Sequence, residues 1–131
     1  MSVKYTSYEK QAMNTIDKAL LAGLSAVGAF VEGNAAMLIT ENQNVDTGRL
    51  RGSITYSIDG KTSQVRSPAR QGDAVPKEQS KATVSIGSNV EYAEFIEYAI
   101  RGKAKPFLRP AVDNNRVTIG NILTNELRKR S

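Results

Sequence analysis

The sequence contains no cysteine, no histidine and no tryptophan. Without cysteine, the chain has neither a disulfide framework nor a thiolate that could bind a metal or attack a substrate. Without histidine, it lacks the commonest general base and the commonest metal ligand of proteins. We therefore expect a protein that is not an enzyme and that binds no metal and no cofactor.

Recognisable catalytic and nucleotide-binding motifs are also missing. No Gly-x-Gly-x-x-Gly and no complete P-loop sequence occurs, so nucleotide binding has no support. Asp46-Thr47-Gly48 spells the aspartic protease triplet, but polar residues 41–44 precede it, and Arg49 and Arg51 would keep the carboxylate ionised. We instead expect Asp46 to cap a short turn by accepting backbone N–H groups.

Three glutamates, Glu91, Glu94 and Glu97, recur at intervals of three residues on a predicted helix. Carboxylates at this spacing could gather a hard cation. However, the chain offers no histidine partner and no EF-hand loop, and acids in the first turn of a helix already suit its dipole. We favour an acidic face that meets solvent or a basic partner.

Length and composition indicate one globular domain over residues 1–131. The chain is 40% hydrophobic and 24% charged, which is typical of folded domains. Its first residues are polar, so we expect no secretory signal. Leu20–Ile39 is apolar enough to be considered as a membrane-spanning helix, but it contains Glu32, and a charge inside a bilayer is costly. We expect no membrane insertion.

The spacing of apolar residues predicts an α+β fold, with a long N-terminal helix and a C-terminal helix packed on a small, mostly antiparallel sheet. Steps of three or four residues from Met13 to Leu38 indicate a helix over Ser7–Thr40, opened by a capping box of Thr6 and Glu9. The other predicted elements are strands over Ser53–Ile58 and Ala82–Gly87, a short helix over Glu91–Ile100 and a last helix opened by Pro110.

Residues 60–80 predict a long mobile loop. The segment is polar and is broken by Pro68, Gly72 and Pro76, and a connection of this length is usually functional or disordered. Part of it, around Gln64–Arg66, could pair as a short strand. We expect the loop to order on assembly.

The net charge of +5 is unevenly distributed along the chain. Residues 1–48 hold three basic and five acidic residues, which leaves 15 of the 18 basic and eight of the 13 acidic residues in 49–131. This basic part could face nucleic acid, anionic lipid or an acidic protein, or simply solvent. The basic residues in and beside the long loop have no aromatic residue among them, and a second basic group contains only Phe107, which gives little support to base stacking. The first group is Lys61, Arg66, Arg70, Lys77 and Lys81, and the second is Arg101, Lys103, Lys105 and Arg109. A basic DNA-binding accessory module remains the alternative function.

Prolines enclose two apolar residues in the segment Pro106-Phe107-Leu108-Arg109-Pro110. Such a segment is held extended. Either both side chains enter the core of the domain, or one of them anchors a neighbouring subunit. We favour the core for Leu108 and an interface anchor for Phe107, because an aromatic beside an arginine is typical of an interface hot spot.

Two segments carry a family resemblance: Val45–Ile54, which contains Asp-Thr-Gly-Arg-Leu-Arg, and Lys105–Ala111, which reads Lys-Pro-Phe-Leu-Arg-Pro-Ala. Between them, Ile86–Ala93 has the character of a strand end, a turn and a helix start. In this order the chain resembles the head-to-tail joining or tail-completion (minor tail) family of long-tailed, double-stranded DNA bacteriophages. The resemblance covers roughly residues 5 to 128.

The resemblance implies a structural virion protein that completes or caps the tail and joins it to the DNA-filled head. It implies a hexameric ring, assembled in the host cytoplasm, through which DNA passes without sequence-specific contact. The implied partners are tail-tube and head-connector or stopper proteins, and completion, terminator and joining roles stay open. The residues that we expect at interfaces are Asp46, Arg49, Arg51, Arg66, Arg70, Lys77, Phe107 and Arg109.

Overall fold

The computed structural model describes residues 1–6, 18–41, 47–80, 82–90, 93, 97 and 106–130. Strands and helices alternate irregularly along these residues, as an α+β fold predicts. The strands are Ser2–Thr6 (β1), Thr55–Ile58 (β2), Lys61–Thr62 (β3) and Thr83–Gly87 (β4), and the helices are Lys18–Glu41 (α1), Thr47–Ser53 (α2), Leu108–Asp113 (α3) and Arg116–Arg130 (α4), with a 3₁₀ turn at Gln71–Asp73.

The four strands form one antiparallel sheet in the order β1-β4-β2-β3. Residues that lie opposite one another in an antiparallel pair share a face of the sheet. Val3, Ile86 and Tyr56 are opposite each other in neighbouring strands and pack on the hydrophobic core. The predicted fold class, with a long N-terminal helix and a C-terminal helix packed on a small, mostly antiparallel sheet, is confirmed.

Helix α1 supplies the centre of the core. Its fully buried residues follow one another at steps of three or four, which is the period of one helix face. The predicted apolar stripe is therefore confirmed from Leu20 onward, although Ile39 is buried at its end and Leu38 is only partly buried. Residues 7–17, which include most of the predicted first turns, lie outside the described residues. The buried residues of α1 are Leu20, Leu24, Val27, Val31, Ala35 and Ile39.

Two glycines of α1 permit close packing. A Cβ atom at Gly23 would lie 2.6 Å from Cδ1 of Leu123 in α4, and one at Gly28 would lie 2.7 Å from the ring of Tyr56 in β2. A Cβ at Gly33 would meet nothing within 4 Å. The five-residue spacing thus places two glycines against different partners, helix and sheet, while the third faces open space.

By length and composition alone, Lys18–Thr40 could cross a membrane. A core helix of a folded domain passes the same test, and the buried stripe of α1 accounts for its apolar character. The expectation that the chain does not insert into membranes stays a prediction.

Several element boundaries differ from the prediction. Strand β1 was not predicted, and the short strand of the loop is Lys61–Thr62, not Gln64–Arg66. The hydroxyl of Thr6, proposed as a helix cap, shares a 2.8 Å hydrogen bond with Thr83. The last helical region begins at Leu108 instead of Pro110, because proline is also tolerated elsewhere in a first turn, where its missing N–H would have no helical partner.

The C-terminal region is two helices, with a break at Asn114 and Asn115. The side-chain amide of Asn115 donates to the carbonyl of Ala111 at 2.9 Å and to Oδ1 of Asn34 at 3.3 Å. The bond to Ala111 satisfies a carbonyl that the break leaves without its helical partner. The bond to Asn34 fastens the break to α1.

Candidate functional site

The polar face of the sheet is covered by the segment 73–80. Thr55, Ser57 and Ser85 are buried on this face. The amide of Val75 donates to Oγ1 of Thr55 at 2.8 Å, and the amide of Glu78 donates to Oγ of Ser57 at 2.9 Å. Small hydroxyl residues therefore occupy this face because they accept the backbone hydrogen bonds of the covering segment.

The same segment is held from both sides. The carboxylate of Glu78 lies 3.0 Å from Nζ of Lys4 on the outer strand β1. Its carbonyl accepts from the amide of Gly60 at 2.8 Å, and Ala74 forms a β-bridge with Ser88. Much of the segment 60–80 thus packs on the domain through polar contacts in this structure.

The mobility of residues 60–80 stays a prediction. If the segment is mobile, its amides should be weakly protected from hydrogen exchange in the free protein and more strongly protected in assembled tails. The amides of Val75 and Glu78 are the most informative probes, since both donate to buried hydroxyls. Strong protection of these two amides in the isolated protein would contradict the predicted mobility.

Asp73 joins the loop to helix α2. Its carboxylate accepts from Nε of Arg49 at 3.1 Å and from Nη2 of Arg49 at 2.8 Å. It also accepts from the backbone amide of Arg70 at 3.0 Å. The side-chain hydrogen bond from Arg49, followed by the backbone bond from Arg70, lowers the pKa of Asp73 to about 2. This carboxylate is therefore ionised at neutral pH.

We expect Asp73→Asn to lower the free energy of unfolding at neutral pH by about 1–2 kcal/mol, less than the full pKa shift implies, since Arg49 stays partly open to water. Because the folded pKa is depressed from 3.8 to about 2, this stability is present above pH 4 and is lost as the pH falls toward 2. Urea melts of both proteins across this range measure the difference. A constant difference down to pH 2 would contradict the assignment.

Arg66 holds the end of α2. Its amide donates to the carbonyl of Gly52 at 2.9 Å, and its Nη2 donates to the carbonyls of Arg51 and Ile54 at 3.2 and 3.3 Å. Its Nη1 lies 3.7 Å from Glu32. Burial raises the pKa of Glu32, against the opposing effects of a hydrogen bond from Ser63 and the charge of Arg66. Arg66 is thus a structural residue as well as a predicted interface residue.

The structure brings together only some of the predicted interface residues. Arg49 and Arg70 line one groove with Pro68, and Arg51 is linked to Arg66 at the end of α2. Lys77 and Arg109 are exposed but do not line that groove. Asp46 lies outside the described residues, so its capping role stays a prediction, although α2 begins directly after it at Thr47.

The position of Phe107 corrects one prediction. Phe107 and Leu108 are both fully buried in the hydrophobic core. A side chain with no exposed surface cannot anchor a neighbouring subunit unless the core opens, so the expected anchor role of Phe107 is wrong for this folded chain. The alternative, that both side chains enter the core, is what the structure shows.

Glu97 has a role that sequence reasoning missed. Its Oε1 accepts from the amides of Phe107 and Leu108 at 2.8 and 2.9 Å, and its Oε2 accepts from the amide of Arg109 at 3.1 Å. Glu97 is only 2% exposed. It therefore caps the start of α3 and is not part of a solvated acidic face. Glu91 and Glu94 lie outside the described residues.

A family model matches residues 4–98 of the chain, and its description names bacteriophage HK97 gp10 as a tail component. The chain belongs to this HK97-gp10-like family. No curated protein and no solved structure matches it. The matched range includes the Asp-Thr-Gly-Arg-Leu-Arg segment, whereas Lys105–Ala111 lies beyond it.

Family membership gives the protein a place in the virion. It is a structural component of a bacteriophage tail, and it interacts with other virion proteins. The predicted membership in a family of phage tail proteins of the tail-completion type is confirmed as membership in this family of tail components. The arginines around α2 and the loop are accordingly candidates for contacts between virion proteins.

Proposed function

We propose that this protein completes or caps the phage tail and joins it to the DNA-filled head as a closed, hexameric ring around a DNA channel. The observation that carries the proposal is the family match over residues 4–98. The sheet adds support, because its two outer strands differ: β1 has five residues and β3 has two. Head-to-tail closure of a ring requires two different surfaces.

In this role the tail tube lies on one side of the ring and the head connector or stopper on the other. DNA passes through without sequence-specific contact, and assembly occurs in the host cytoplasm. The work is done by binding, without catalysis and without a cofactor. The loop 60–80 and the arginines beside it are the surfaces that we assign to these partners.

The test is a phage that lacks this protein. We expect filled heads and separate tails, seen by electron microscopy, because the last joining surface is missing. Purified wild-type protein added to the mixture should restore joining. Joined, infectious particles from the deletion phage would refute the proposal.

A DNA-binding accessory module is the second candidate, supported by the 15 basic residues within 49–131. Binding dominated by phosphate contacts falls steeply as salt rises. Tight, strongly salt-dependent binding of duplex DNA by the free protein, together with normal joining in the deletion phage, would favour this candidate over the tail role.

A further inference from the structure

Two arginines and a proline form a groove at the surface beside α2. The groove has a volume of about 360 Å³ and is lined by Arg49, Pro68 and Arg70. Arg49 belongs to α2, while the other two residues belong to the segment 60–80. We call it the arginine groove. Its volume lies at the low end of about 300–1,000 Å³ that is usual for ligand pockets.

Both arginines are anchored to the same carboxylate. Asp73 accepts two hydrogen bonds from the guanidinium of Arg49 and one from the backbone amide of Arg70. Asp73 is only 6% exposed, whereas 39% of the Arg49 side chain remains open to solvent. The buried carboxylate therefore orients Arg49 in advance, which reduces the entropy lost on binding an anion.

The charge of the groove favours an anionic ligand. Two guanidinium groups line the groove, and Asp73 accepts from the guanidinium of Arg49 but from the backbone amide of Arg70. A guanidinium is planar and presents its donors as a fork that matches a carboxylate or a phosphate. The guanidinium of Arg70 does not donate to Asp73 in these hydrogen bonds, so it is the group that an external carboxylate would meet.

We propose that the arginine groove binds a carboxylate side chain from an acidic segment of a neighbouring virion protein. The identity of this partner as a virion protein rests on the proposed function. Arg49 and Arg70 supply the charged side chains of the groove, and Pro68 lines it with them. Asp73 acts as a positioning residue for Arg49.

A protein carboxylate fits this groove better than DNA does. Non-specific DNA binding depends on several cations distributed along the phosphate backbone, but Lys77 and Arg109 do not line this groove. Binding of single strands also uses aromatic platforms, and none of the described residues that line the groove is aromatic. A small concave site suits one side chain rather than a convex duplex backbone.

The test uses the full-length protein and a labelled hexaglutamate peptide, with fluorescence anisotropy at physiological salt. Arg70→Ser removes one charged side chain of the groove without removing the guanidinium that holds Asp73. Lys77→Ser is the matched control, because it also removes one exposed charge from the same segment. A short DNA duplex is the second probe. Thermal melts check that both variants remain folded.

We expect Arg70→Ser to raise the Kd for the peptide about tenfold, which is the loss of one charge-assisted hydrogen bond pair. Lys77→Ser should change it by less than about twofold. Equal weakening by both variants would overturn the proposal, as would absence of saturable peptide binding. A wild-type preference for the duplex that Arg70→Ser abolishes would reassign the groove to DNA and overturn it too.

These measurements are independent of the joining experiment. A deletion phage that still joins its tails would refute the proposed function while leaving peptide binding by the groove intact. If the peptide fails to bind, the proposal for the arginine groove is refuted. A joining defect in the deletion phage would still support the proposed function in that case. A phage that carries Arg70→Ser should lose joining only if both proposals hold.

Discussion

Replacing Glu97 by alanine should lower the free energy of unfolding by about 2–4 kcal/mol. The carboxylate accepts hydrogen bonds from the amides of Phe107, Leu108 and Arg109. The first two of these amides are buried with it, so the truncation leaves donors without an acceptor away from water, which costs more than an exposed bond contributes. Urea denaturation with an unchanged m-value would measure the loss.

Two further variants sharpen this test. In Glu97→Gln, the amide oxygen could still accept from Phe107 and Leu108, but the NH₂ group would face the amide of Arg109, so we expect about half of the loss. Asp113→Ala is the control, because Asp113 is an exposed carboxylate whose ion pair among the described residues is with Arg116, and its removal should cost less than about 0.5 kcal/mol. Equal effects of Glu97→Ala and Asp113→Ala would contradict the capping role.

The consequence of this cap reaches the core. Phe107 is the largest of the fully buried side chains among the described residues, and its amide is one of the three that Glu97 binds. The cap and the buried ring therefore belong to one local arrangement at the start of α3. A ring that is fastened in this way serves the folded chain itself, which explains why the expected interface anchor was wrong.

The parts of the fold that could be predicted are those with a local pattern. The helical period of α1 from Leu20 to Ile39 and the alternation in β2 and β4 need only neighbours in the sequence to be recognised. Val3 and Tyr5 alternate with polar residues in β1 as well, but nothing local indicates that this segment pairs with β4, about eighty positions away.

The candidate site depended on contacts that leave no local signal. Arg49 was predicted as an interface residue, but nothing near it in the sequence indicates that Asp73, 24 residues further along, binds its guanidinium. Glu97 was grouped with Glu91 and Glu94 by spacing, although its actual partners lie ten to twelve residues further along. Charge and spacing thus identified residue types, while the fold determined which of them became structural.

The polar face of the sheet shows the same limit. The hydroxyl residues at alternate positions of β2 were recognised as one face of a strand, and such a face is usually solvated in an antiparallel sheet. Here the hydroxyl groups of Thr55 and Ser57 accept hydrogen bonds from the backbone amides of Val75 and Glu78. The loop that sequence reasoning expects to be mobile also covers the polar face of the sheet, so assembly contacts made by the loop would act directly on the sheet.

Replacing Gly52 by alanine should lower the free energy of unfolding by about 3 kcal/mol. A Cβ atom at this position would overlap the backbone carbonyl oxygen of Arg66 and approach the Cβ of Ala69 at 3.3 Å. The loop cannot withdraw freely, because the amide of Arg66 donates to the carbonyl of Gly52 at 2.9 Å. The substitution must therefore break this junction between α2 and the loop or distort both segments.

Gly33→Ala is the matched control for this prediction, since it adds the same methyl group to another helix where nothing lies within 4 Å. An exposed alanine in a helix interior is more favourable than glycine, so this variant should gain about 0.5–1 kcal/mol. The two variants should move the denaturation midpoint in opposite directions. In addition, Gly52→Ala should speed hydrogen exchange at the amide of Arg66. If only the junction opens, the free energy calculated from this faster exchange should equal the loss in the free energy of unfolding. A stability for Gly52→Ala equal to or above that of the wild type would show that the loop does not pack against α2 in solution, and it would also remove the geometric basis of the arginine groove.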